Sequence, residues 1–246
     1  MKKLVAYITT GFPSKEFTVD LALSLKEAGV DTIELGIPFS DPVADGPVIE
    51  EANLKTLQRG FKIKEVFEVS HKIAKDIETL WMGYFNPFYH KGLNLFIDEA
   101  KSSGVKGFII PDLPFEEAKA YRGEIEQNSL VLIDFIAPTD PKSRIEKIAK
   151  DSKGFIYLVA YAGITGSKRS EDLTEIVSNI KEVTNTPVYV GFGVNRDSAK
   201  SKAQGVDGVI VGSAFMKVLL DDSLSGSEKI KEVSSMAKDI KSLINE

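Results

Sequence analysis

The chain contains no cysteine, which excludes a disulfide framework, a thiolate metal site and a cysteine nucleophile together. Histidine is scarce as well: His71 and His90 are the only two, so a histidine-built metal centre lacks its ligands. Positive charge is in deficit. Lys and Arg number 31 against 36 Asp and Glu, for a net charge of −5, which turns the reading away from nucleic acid and anionic membrane surfaces. Long apolar runs are missing too. The basic pair Lys2-Lys3 is followed by apolar residues only from Leu4 to Ile8, too few for a signal-peptide core or a membrane span, and a cytoplasmic location is expected. What is present is ordinary for a folded domain: 43% apolar and 27% charged residues over 246 positions, a composition unlike disordered, collagenous or coiled-coil chains.

Short apolar runs rich in β-prone residues recur along the whole chain. They are read as strands at Leu4–Thr9, Thr32–Gly36, Leu80–Tyr84, Gly107–Ile110, Val131–Ile136, Phe155–Val159, Val188–Phe192 and Gly208–Gly212. Their near-continuous hydrophobicity, without clean alternation, suits parallel strands buried on both faces. Helix-period stretches lie between them. Ser14 caps one in which Phe17, Leu21 and Leu25 share a face and Gly29 ends it; Asp140-Pro141 opens another around Ile145 and Ile148; Glu228–Ile244 is a third. Eight strands alternating with helices predict a single-domain (β/α)8 TIM barrel over residues 1–246. A doubly wound open sheet is the alternative, but the first strand runs into Thr9-Thr10-Gly11-Phe12-Pro13 with no glycine-rich dinucleotide fingerprint.

Strand spacing is uneven, and the units after the second and sixth strands are the longest. In a barrel, extra length after a strand falls on the C-terminal rim, where active sites are built. After the second strand comes Glu34-Leu35-Gly36-Ile37-Pro38-Phe39-Ser40-Asp41-Pro42-Val43-Ala44-Asp45-Gly46-Pro47. A carboxylate inside a strand of Ile and Leu is costly unless paired, protonated or functional. Glu34 points either into the barrel mouth, where apolar walls would suit it to acid–base work, or into the helix layer. Asp41 and Asp45 follow in a loop stiffened by three prolines; a proline-ordered turn with capping aspartates is the other reading. Gly191-Phe192-Gly193 and Gly212-Ser213-Ala214 close the last two strands, each expected to run directly into a helix, at the usual phosphate position of this barrel. After the sixth strand, Gly163 and Gly166 stand in a polar stretch that reads as a lid or as a plain long loop.

Schiff-base chemistry needs a lysine facing the mouth, and no strand C-terminal end supplies one; Lys106 precedes its strand and belongs to the bottom face. His71 falls in a helical stretch and His90 in a loop beyond Pro87, both read as exposed structural residues. Metal-free proton transfer by carboxylates on a phosphorylated substrate is what the residues leave.

The stretch from Glu34 to Pro47 closely resembles the signature of the tryptophan synthase α-subunit family. The resemblance continues through Asn53, Pro111-Asp112-Leu113-Pro114, Gly163-Ile164-Thr165-Gly166, Gly191-Phe192-Gly193 and Gly212-Ser213-Ala214, in the family's order along essentially the whole chain. It implies retro-aldol cleavage of indole-3-glycerol phosphate to indole and glyceraldehyde 3-phosphate. By the same resemblance Glu34 is the general acid/base at the indole ring carbon, and Asp45 stabilises positive charge at the indole N–H. Tyr157 sits beside Glu34. The phosphate rests on Gly166, Gly193, Gly212 and Ser213, and Thr165 on the lid bonds Asp45. Tyr7, Tyr84, Phe135 and Phe192 wall the indole; Met82, a fifth candidate, reads better as core filling. No cofactor or metal is implied for this chain. Pyridoxal phosphate is expected only on a partner β subunit, in an α2β2 assembly that takes up the indole.

Three positions depart from the family pattern. Tyr161 stands where an arginine is common, which shifts lid ordering onto Lys168, Arg169 or the partner; Phe12 replaces a common aspartate, and Gly83 a bulkier pocket residue. None touches Glu34 or Asp45. A stand-alone lyase that releases free indole, and a catalytically silent phosphate-binding barrel that activates a partner, remain the alternatives.

Overall fold

A computed structural model describes residues 1–159 and 173–246. Eight parallel strands close into a barrel in sequence order: β1 (Lys3–Thr9), β2 (Thr32–Gly36), β3 (Glu78–Met82), β4 (Gly107–Ile109), β5 (Val131–Ile136), β6 (Ile156–Val159), β7 (Val188–Gly191) and β8 (Gly208–Val211). The surrounding helices among the described residues are α1 (Lys15–Glu27), α2 (Pro47–Gln58), α3 (Lys64–Ile73), α4 (Phe85–Lys91), α5 (Leu93–Ser103), α6 (Phe115–Gln127), α7 (Lys142–Asp151), α8 (Thr174–Lys181), α9 (Ala199–Lys202), α10 (Ser213–Leu219) and α11 (Gly226–Leu243).

The strand interiors are buried on both faces, as their apolar runs require. Register then decides which side chain faces where, because successive residues alternate. Tyr7 pairs with Glu34 across β1 and β2, and Phe135 with Tyr157 across β5 and β6. Two glycines make room for the inward tyrosines: a Cβ on Gly36 would collide with the Tyr7 ring, and one on Gly191 with the Tyr157 ring. Outward-facing residues meet the helices. Trp81 packs on Phe67, Phe96 and Phe108, and its indole Nε1 donates to Ser70 Oγ at 2.7 Å, which satisfies a donor that burial would otherwise strand. Asp134 on β5 is also turned outward, where Arg122 Nη2 donates to it at 2.5 Å and Ser152 Oγ at 3.0 Å.

Helix starts follow local chemistry. Ser14 accepts from the Phe17 amide at 3.1 Å to open α1, and Ser225 and Glu228 form a reciprocal capping box on α11. At the barrel floor, Asp31 accepts from Lys241 at 2.5 Å and from the Leu4 amide at 2.8 Å, tying α11 to the first two strands.

Four local expectations are corrected. β3 runs two residues earlier than Leu80–Tyr84: Glu78 belongs to it, accepting from Thr32 Oγ1 at 2.8 Å, and Tyr84 instead precedes α4. His90 lies in α4 and not in a loop, because Pro87 falls in the first helical turn, where a missing N–H costs nothing. The length after β2 is partly helix, since α2 and α3 both follow the loop 37–46. Finally, Phe192-Gly193 does not run straight into a helix; a turn stabilised by Asn195 intervenes before α9.

Candidate active site

The C-terminal rim holds a cavity of about 400 Å³. Of the residues singled out from sequence, Tyr7, Glu34, Asp45, Tyr157, Phe192, Gly193, Gly212 and Ser213 line it, which brings β1, β2, β6, β7 and β8 to one place. Thr165 and Gly166, with Gly163, Tyr161, Lys168 and Arg169, lie outside the described residues.

Glu34 takes the inward choice. It is only 2% exposed, and its Oε2 has no hydrogen-bond partner among the described residues. Burial first, and the negative charge of Asp45 second, push its pKa up to about 8. Burial also raises Tyr7 and Tyr157 well above the usual tyrosine range, so both keep their phenol protons. The cavity floor thus carries protonated groups among apolar walls.

Asp45 reaches the cavity from the loop after β2, and the chain around it is pinned. The Ile37 amide donates to the Met82 carbonyl at 2.7 Å, and the Asp45 amide to the Pro42 carbonyl at 2.9 Å. Tyr84 accepts from the Ala44 amide at 3.1 Å and donates to the Asp45 carboxylate; its ring stacks on Phe39 at 5.4 Å. Asn53 Nδ2, from α2, lies 3.4 Å from Asp45 Oδ2. Burial raises the Asp45 pKa to about 6, against the pull of the Tyr84 and Asn53 hydrogen bonds.

On the opposite rim, Phe192 has φ of 72°, a left-handed backbone that bulky residues rarely adopt. Lys202 Nζ donates to its carbonyl at 2.6 Å, and Ser198 Oγ to the Gly193 carbonyl at 2.9 Å. Both carbonyls are thereby held by groups behind the turn, and the Phe192 side chain, 38% exposed, lines the cavity edge-on to Tyr157 at 6.1 Å.

Two expected wall residues are placed elsewhere. Tyr84 approaches from behind the Asp45 loop, because its buried hydroxyl turns to the Ala44 amide and the Asp45 carboxylate. Phe135 stacks face-on to Tyr157 at 4.8 Å and borders a second cavity of about 270 Å³ with Asp112, Asp134 and Arg144. Conversely, Met82 lines the main cavity, as do Val48, Ile49, Ile210, Asn195 and Lys217. Of these, Lys217 had a usable signal, standing one helical turn beyond Ser213; the aliphatic residues carried none that separates a pocket wall from core.

No group of three or more His, Asp or Glu among the described residues is arranged to hold a metal ion. His71 Nε2 lies 3.8 Å from a Glu99 carboxylate oxygen. Nor is any helix among the described residues long and apolar enough to cross a membrane.

A closed barrel with two carboxylates in a cavity at its C-terminal rim has the architecture of a (β/α)8-barrel enzyme. The chain belongs to the tryptophan synthase alpha chain family, whose model matches residues 1–245. It is 55% identical over 246 residues to the tryptophan synthase alpha chain of Wolinella succinogenes, covering 100% of this chain and 96% of that one. Among solved structures, the tryptophan synthase subunit alpha of Campylobacter jejuni superposes with a TM-score of 0.87 at 35% identity, covering 96% of this chain and 95% of its own. The Legionella pneumophila subunit alpha gives a TM-score of 0.89 at 31% identity, covering 99% and 93%.

Proposed function

We propose that this chain, acting as one domain over residues 1–246, cleaves indole-3-glycerol phosphate to indole and glyceraldehyde 3-phosphate by carboxylate acid–base chemistry. Its family consists of carbon–carbon lyases of tryptophan biosynthesis. One observation carries the assignment of roles: Glu34 and Asp45 line the same cavity with pKa values of about 8 and about 6. Near neutral pH the first holds a proton and the second a negative charge.

The protonated Glu34 carboxyl delivers its proton to the indole ring carbon that bears the glycerol chain. Positive charge then develops at the ring N–H, and the Asp45 carboxylate faces it. Cleavage of the carbon–carbon bond returns the electron pair to the ring. The hydroxyl on the departing carbon becomes the aldehyde, and its proton goes back to the Glu34 carboxylate. Atoms and charge balance without any cofactor. Each positioned proton transfer contributes roughly 10²–10⁴ in rate.

Tyr7, Tyr157, Phe192 and Met82 enclose the indole in apolar surface, and Tyr157 keeps its proton beside Glu34. The phosphate lies on the backbone of Gly193, Gly212 and Gly166, with the Ser213 hydroxyl as a further donor. Thr165 closes over Asp45. A β subunit carrying pyridoxal phosphate is the partner that takes up the indole, in an α2β2 assembly in the cytoplasm. It presses on the rim segments after β2 and β6 and favours their closed state.

The test is to incubate the purified chain with indole-3-glycerol phosphate and assay indole, with and without the β subunit. Slow release alone and a large rise with the partner is the expected result. Equal rates would make the chain a stand-alone lyase, and no indole under either condition would leave a silent phosphate-binding barrel.

A further inference from the structure

The rim cavity contains two carboxylates, Glu34 and Asp45, and among its described lining residues one basic side chain, Lys217. A phosphate dianion that enters meets like charge from Asp45. Backbone amides and the Ser213 hydroxyl can donate to its oxygens, but they carry no net charge to offset the repulsion. The start of α10 adds a partial positive charge, a cation adds a full one, and charge-assisted hydrogen bonds are about twice as strong as neutral ones.

Lys217 is placed for the task. It stands one helical turn beyond Ser213 on α10, with only the small Ala214 lining the cavity between them. Helical side chains lean toward the N-terminus and cover the preceding turn. The lysine stem is long enough to span a turn's rise of about 5.4 Å. Its charge is also uncommitted: among the described residues Lys217 has no ion-pair or hydrogen-bond partner. Among the described residues, the neighbouring cations Arg196 and Lys202 are already engaged, the first with Glu232 and Asp239 and the second with the Phe192 carbonyl.

We infer that Lys217 is a binding residue for the substrate's phosphate dianion, and that it makes the cavity select phosphorylated indole glycerol over the dephosphorylated compound. The inference rests on the phosphate position proposed above.

Its test compares wild type, Lys217→Met and Lys217→Arg in two measurements. In the first, glycerol 3-phosphate is titrated into each protein by calorimetry. Loss of the charge should weaken binding about tenfold, while arginine stays within about threefold of wild type. In the second, turnover is measured on indole-3-glycerol phosphate and on dephosphorylated indole-3-glycerol. Lys217→Met should raise KM for the phosphorylated substrate about tenfold with kcat changed less than about twofold, and leave the other substrate unaffected. Wild-type affinity in Lys217→Met, equal loss in both variants, equal loss on both substrates, or no binding of glycerol 3-phosphate to wild type would each overturn the assignment. Probe binding that depends on Lys217 without any indole formed would overturn the lyase reading and leave this assignment standing.

Discussion

Tyr84 holds Asp45 from behind. Its hydroxyl accepts from the Ala44 amide at 3.1 Å and donates to the Asp45 carboxylate, while Asn53 reaches the same carboxylate at 3.4 Å from α2. An aspartate on a loop thereby acquires an orientation that the loop alone would not fix. Both contacts also stabilise its charged form, so they set how acidic it is as well as where it points.

Replacing Tyr84 with Phe should therefore change the pH dependence of the reaction as well as its rate. The expected outcome is a drop in kcat of about tenfold, the size of one lost hydrogen bond to a charged group, with the acid limb of the profile moved to higher pH. Asn53→Ala should shift that limb in the same direction. A uniform rate loss with an unmoved limb would show that Tyr84 only packs against the loop.

Glu34→Gln and Asp45→Asn should each lower kcat by roughly 10²–10⁴ while substrate still binds, because the phosphate contacts proposed above are made by other residues, at the ends of β7 and β8. Steady-state indole formation combined with equilibrium binding of the substrate separates the two effects. If affinity falls in step with turnover, the carboxylates are binding groups and the acid–base roles are wrong.

In wild type, the dependence of kcat/KM on pH should be bell-shaped. Asp45 must be charged, so activity rises through about pH 6; Glu34 must be protonated, so it falls through about pH 8. The two groups face one cavity and interact, so the limbs report apparent values of the pair. A profile that keeps rising to pH 9 would contradict a protonated Glu34.

The same burial has a stability consequence. The Glu34 pKa in the folded chain, about 8, lies above that of an exposed glutamate. Between these values the unfolded chain ionises freely and the folded one resists, so the folded state loses stability as pH rises toward 8. Glu34→Gln should raise the melting temperature at pH 8 by more than it does at pH 5. Equal gains at both pH values would mean that Glu34 is solvated in the folded protein.

The outer layer offers an independent check. Ser70→Ala would leave the buried Trp81 Nε1 without its acceptor and should destabilise the fold by about 1–3 kcal/mol. Trp81 is the only tryptophan, so its fluorescence in urea reports on this layer directly.

The barrel was legible because parallel strands covered on both sides show up as unbroken apolar runs, and seven of the eight strands begin within one residue of those runs. Glu34 stood out for the complementary reason, as a charge where burial forbids an idle one. The same signal is ambiguous about direction. Asp134 sits in an equally apolar strand, yet it turns outward to Arg122 and Ser152, while Glu34 turns into the cavity. Strand register decides that, and register is a property of neighbouring strands, not of the segment itself. Tyr84 and Phe135, expected as pocket walls, are not among the described residues that line the main cavity, and the sequence does not tell this for a related reason: an aromatic residue near a strand end reads alike whether it borders the ligand, braces a loop or backs another ring. Met82 reads as core filling, and Ile49 and Ile210 give no signal at all, because an aliphatic pocket wall and an aliphatic core residue have the same chemistry.

The depth of the active hollow is governed by two absences. Gly36 and Gly191 leave the space into which Tyr7 and Tyr157 recline, so neither glycine need meet the ligand to control it. A single methyl group at either position would meet a phenol ring and force it to shift. Pocket shape in this scaffold is thus tunable through two backbone positions, without touching a carboxylate.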